Sequence, residues 1–62
     1  MSMLTLKSLE IYVKKAIEEH PELRDEIIDL YDLCRSEIEE GSPEYHEVGL
    51  CLNDINELIE EK

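Results

Sequence analysis

The residues that break helices are few in this chain, and three of the four stand at two sites: Pro21, and Gly41 with Pro43 across Ser42. Between these sites the apolar residues recur at helical spacing, which commits the chain to helices joined by very short turns. The fourth breaker, Gly49, falls inside the last periodic segment.

The first segment, about residues 5–19, carries Leu6, Leu9, Val13, Ala16 and Ile17 on one stripe with Tyr12 on its flank. Thr5 or Ser8 is placed to cap its start. Pro21 ends it, because the residue before a proline is pushed out of the α region. The second segment, about 21–40, has proline at its first helical position, where a missing N–H costs nothing. Its stripe is Leu23, Ile27, Leu30, Tyr31, Cys34 and Ile38, and Gly41 stands where a left-handed residue ends a helix. The third segment, about 43–60, is expected to use Ser42 as N-cap and Pro43 as first residue. Its stripe is Tyr45, Val48, Leu52, Ile55 and Ile59, widened by Cys51 and Leu58.

Turns this short make successive helices antiparallel. Folding back at Gly41-Ser42 sets Ile38 level with Tyr45, Tyr31 with Leu52, Ile27 with Ile55 and Leu23 with Ile59. Folding back at His20-Pro21 sets Ile17 level with Leu23, Val13 with Ile27, Leu9 with Tyr31 and Leu6 with Cys34. Core residues meet core residues at each height. This agreement points to an all-α, antiparallel up-down-up three-helix bundle, one domain over residues 1–62. The alternative keeps 21–60 as a helical hairpin and swaps helix one into a partner chain.

Size and charge narrow function. A chain of 62 residues buries only about 60% of the surface it exposes when unfolded, too little for a multidomain enzyme. Six basic residues face 17 acidic ones, a net charge of -11, which argues against direct contact with nucleic acid or an anionic membrane. Its longest apolar run is three residues, Ile11-Tyr12-Val13, so no membrane span is expected. With two cysteines, no disulfide framework and no signal-like start, a cytoplasmic location is expected.

The imbalance is uneven. Residues 1–20 are neutral, 21–41 carry -6 and 42–62 carry -5. Helix two has an acidic row at Glu22, Asp25, Asp29 and Asp32, and helix three adds Glu47, Asp54 and Glu57 around Leu50. Such rows read either as a solvated face or as a docking surface for a basic protein, DNA mimicry included. Leu50 is the candidate anchor for a basic, partly apolar partner. Ile11, Ile28 and Leu33 also fall off or beside the core stripes, and are candidates for a homo-oligomeric, dimer-forming interface.

Chemistry-bearing patterns are missing. The sequence has no CxxC, HExxH, Glu-x-x-His or calcium-loop motif, so no metal or cofactor is expected. Cys51 and His46, five residues apart on one helix, point to different sides, and no third group orients the imidazole. The protein is expected not to be an enzyme. Gly49 borders the core between Tyr45 and Leu52, which suggests a close helix approach or room for a Tyr ring, the alternative being a contact point for another chain. Asn56, on the same edge, is a candidate for fixing register.

The stretch Pro21-Glu22-Leu23-Arg24 to Leu30-Tyr31-Asp32-Leu33-Cys34, then Ile38-Glu39-Glu40-Gly41 and Asn53-Asp54-Ile55, resembles small acidic helical proteins of unassigned function encoded by tailed phages. The resemblance spans residues 21–60. It implies an accessory intracellular protein acting on a host or viral partner, and it supplies no mechanism.

Overall fold

A computed structural model describes residues 4–61. Helix α1 spans Leu6–Glu19, α2 spans Arg24–Glu39 and α3 spans Glu44–Glu60, with a single 3-10 turn, Pro21–Leu23, between α1 and α2. The three form an antiparallel bundle in which α1 packs on the α2 and α3 of its own chain. The radius of gyration is 11.1 Å, against about 10.6 Å expected for a folded chain of this length.

Local chemistry explains each boundary. Thr5 caps α1 through a reciprocal pair: its hydroxyl accepts from the Ser8 N–H at 3.1 Å, and the Ser8 hydroxyl accepts from the Thr5 N–H at 3.0 Å. At the other end the His20 N–H still reaches the Ala16 carbonyl, and Pro21 can donate nothing further. The chain then tightens, with the Leu23 N–H bonded to the His20 carbonyl at 2.9 Å. The helix expected from Pro21 therefore begins with a 3-10 turn, and α2 proper starts at Arg24. The tighter turn leaves Leu23 buried.

The α2–α3 turn is a full Schellman motif. Gly41 has φ +113°. The Ser42 N–H donates to the Glu37 carbonyl at 3.0 Å and the Gly41 N–H to the Ile38 carbonyl at 3.0 Å. Ser42 is not the N-cap of α3. Pro43 is extended (ψ 127°), so it takes that place, and α3 begins one residue later than expected, at Glu44.

The core is Leu9, Val13 and Ala16 from α1, Leu23, Ile27 and Cys34 from the α2 side, and Val48, Cys51 and Ile55 from α3. Leu9, Ile27, Val48 and Ile55 are wholly buried. Every buried residue belongs to a stripe read from the sequence. Among the described residues no buried side-chain N or O lacks a hydrogen-bond partner.

Four expectations are corrected. Tyr45 does not sit in the core opposite Ile38 but is 64% exposed. It stands about 80° around the helix from Ile55, off the buried arc. Gly49 marks no close backbone approach: the atom nearest a Cβ placed there is Leu4 Cδ1 at 3.6 Å, an ordinary contact. Asn56 fixes no interhelical register, because its amide donates along α3 to Glu60 at 3.4 Å. Ile28 is half-buried rather than stranded in solvent.

Candidate protein-docking groove

Helices α2 and α3 form a two-sided layer, and α1 covers one side. The opposite side carries a groove lined wholly by residues of α2, α3 and Glu61 at the end of α3. It consists of two adjoining depressions, about 240 and about 460 Å³, that share Leu30, Leu33 and Asp54. Its apolar surface comes from Leu30, Leu33, Leu50 and Leu58, with the thiols of Cys34 and Cys51 at the narrower end. Leu33 and Leu50 are 61% and 50% exposed, an arrangement that leaves large aliphatic area in water.

Carboxylates make the rim. Glu26, Asp29 and Glu37 stand on the α2 side, and Glu47, Asp54, Glu57 and Glu61 on the α3 side. Among the described residues no Lys, Arg or His lines either depression. The two arginines of α2 are engaged elsewhere. Arg24 pairs with Asp25 at 3.3 Å, and Arg35 pairs with Glu39 at 3.7 Å while lying over the Tyr31 ring. The rim therefore holds a negative field over an apolar floor, with no cation of the described lining to neutralise it.

The floor is fastened by sulfur. The Cys51 thiol donates to the Leu30 carbonyl at 3.5 Å, joining α3 to α2. Burial pushes the Cys51 thiol up to about 12, with Cys34 and Asp54 adding to the rise. Burial, then the Glu47 carboxylate, also pushes Cys34 up. Both are free thiols that stay protonated at neutral pH, so neither is an activated nucleophile. Among the described residues no cluster of three or more His, Cys, Asp and Glu is placed to hold a metal ion. No helix of the described residues is long and apolar enough to cross a membrane.

The structure sorts the candidate residues. Asp29, Glu47, Leu50, Asp54 and Glu57 all line the groove. Leu33, read as part of a separate oligomer interface, stands in the same groove as Leu50. Glu22, Asp25 and Asp32 are exposed but lie outside its lining. Ile11 is exposed on α1, across the bundle from the groove. Glu61, which continues the acidic row of helix three, lines it too, and Glu26, Glu37, Leu30 and Leu58 join the site beyond the expected residues. Glu37 and Asp29 are each one helical turn from Leu33, and Glu26 is one turn from Leu30, the signal that would have found them.

Compared with family models, with curated proteins and with solved structures, the chain shows no match.

Proposed function

We propose that the protein is a non-enzymatic docking module that captures a basic protein surface in the α2–α3 groove. One observation carries this reading: four leucines lie exposed or half-buried in a groove whose rim is carboxylate and whose lining, among the described residues, contains no cation. The leucines reward an apolar anchor, and the rim rewards lysine or arginine around it. A basic segment that otherwise contacts a nucleic-acid backbone fits this chemistry, which makes the module a competitor of nucleic acid for its partner. Free, buried thiols suit a reducing, cytoplasmic setting.

The test is binding of a synthetic amphipathic helix of leucine and lysine, followed by fluorescence anisotropy. Wild-type protein is expected to bind it, more weakly as salt rises. A Leu33→Lys, Leu50→Lys double variant with unchanged circular dichroism is expected to lose binding. Equal binding by that variant would remove the groove from the account.

A further inference from the structure

The complement to the groove is present on the same chain. The outer face of α1 sets Ile11, 63% exposed, beside Lys7, Lys14 and Lys15, which lie four residues before it and three and four after it. All three lysines are exposed, and the ion pairs found among the described residues belong to His20, Arg24 and Arg35. The neighbouring Glu10 is close enough to α2 to act on Tyr31. Glu18 lies two turns beyond Ile11 towards the end of the helix. Half the cations of the chain thus surround one exposed aliphatic side chain.

We propose that the α1 face of a second copy of this chain docks in the α2–α3 groove, Ile11 meeting Leu33 and Leu50 and the lysines meeting the carboxylate rim. This rests on the groove being a docking site. Dimensions agree. Along α2 the groove runs from Glu26 to Glu37, about 16 Å at 1.5 Å per residue, and the 14 residues of α1 span about 21 Å. Charge decides the symmetry. Packing groove on groove would set two acidic rims face to face, whereas α1 in groove sets lysines against them. The contact is therefore heterologous. Each copy has one groove and one α1 face on opposite sides, so assembly does not stop at two. Self-docking also occupies the groove, so a foreign basic partner has to displace α1.

Native mass over a concentration series, with mixing of two variants, tests this. Wild-type protein is expected to form dimers and larger species that dissociate as salt rises. Ile11→Glu keeps the groove and loses the α1 face; Leu33→Lys with Leu50→Lys keeps the α1 face and loses the groove. Each variant alone is expected to be monomeric, and an equimolar mixture is expected to give dimers and nothing larger. A wild-type monomer at all concentrations overturns the proposal. So does an Ile11→Glu variant with wild-type mass, a mixture that stays monomeric, or association that tightens with salt. Binding of the synthetic leucine–lysine helix separates the two failures. If it binds wild type but not the groove variant, the groove stands and self-docking falls; if it binds neither, both fall.

Discussion

The Glu44 carboxylate accepts a hydrogen bond from the Leu6 backbone N–H at 2.6 Å. Leu6 opens α1 and Glu44 opens α3, so the carboxylate of one helix satisfies an N–H that the other helix leaves without an intrahelical acceptor. In an up-down-up bundle these two helices are parallel, and their positive ends lie together. One negative charge serves both.

Glu44→Ala is expected to lower stability by about 1 kcal/mol, within the range for lost caps. In a domain of this size that lowers Tm by roughly 4–8 °C. Glu44→Gln keeps an acceptor and is expected to recover part of the loss, with less sensitivity to salt. Thermal melts of the three proteins at two ionic strengths check this.

The two glycines are expected to respond with opposite sign. At Gly41 a Cβ meets nothing within 4 Å, but φ is +113°, so Gly41→Ala is expected to cost about 1–2 kcal/mol. At Gly49 the backbone is helical and the Cβ meets Leu4 Cδ1 at 3.6 Å, so Gly49→Ala is expected to stabilise by about 0.5–1 kcal/mol. Urea titration of both variants checks the two signs.

Alkaline pH is expected to destabilise the bundle. Cys51 is raised from an ordinary 9.0 to about 12 in the folded protein, and Cys34 and Tyr31 are raised as well. Above the unfolded thiol value the unfolded chain releases protons that the folded chain still holds. Stability therefore falls as pH rises from about 9 towards about 12. Cys51→Ala is expected to flatten that fall. Alkylation of the native thiols by iodoacetamide is expected to be far slower than in denaturant.

Core and groove aliphatics are expected to separate cleanly. Ile27 is wholly buried and Leu33 is 61% exposed. Ile27→Ala is expected to cost about 2–5 kcal/mol, much of the roughly 3–9 kcal/mol a chain of this length commands. Leu33→Ala is expected to stay within about 0.5 kcal/mol while weakening capture of the synthetic helix.

Charge reversal is expected to divide the acidic row of α2. Asp29 and Asp54 line the groove, whereas Asp25 and Asp32 do not. Asp29→Lys with Asp54→Lys is expected to abolish binding of the leucine–lysine helix. Asp25→Lys with Asp32→Lys is expected to leave more of it, since these two carboxylates are exposed outside the lining and make a weaker, solvent-screened contribution. Anisotropy titrations of the two pairs at one salt concentration make the comparison.

The bundle was readable because its signals reinforce one another. The Thr5 cap, the Pro21 break and the left-handed Gly41 each stand where the stripes require a boundary, and Leu9, Ile27, Val48 and Ile55 fall on stripes that meet at matching heights. Ser42 and Tyr45 depart from expectation for different reasons: Pro43 takes the N-cap place so that α3 starts at Glu44, whereas Tyr45 lies about 80° around the helix from Ile55, off the buried arc. Which residue begins a helix depends on backbone bonding that composition does not encode.

The groove was half readable. Leu50 and its acidic neighbours are visible on the wheel of α3 alone. Leu33 looks like an unrelated surface residue on the wheel of α2. The hairpin register that sets Tyr31 beside Leu52 also sets Leu33 level with Leu50 and Asp29 level with Asp54. Applied to the residues outside the core, that register brings the two leucines and the two rows of carboxylates together. A single-helix wheel hides the site because the site belongs to the pair of helices.

Placing a neutral α1 on one side of a layer that carries -11 gives the molecule a permanent electric moment directed across the bundle. In the field of a cation-rich surface such a body experiences a torque before it experiences contact. It turns groove-first while still in diffusion, over distances of about 10 Å at 0.1 M salt. The leucines then arrive facing that surface. Fewer collisions are wasted on the wrong side, and the rate of encounter, more than the lifetime of the complex, registers the ionic strength.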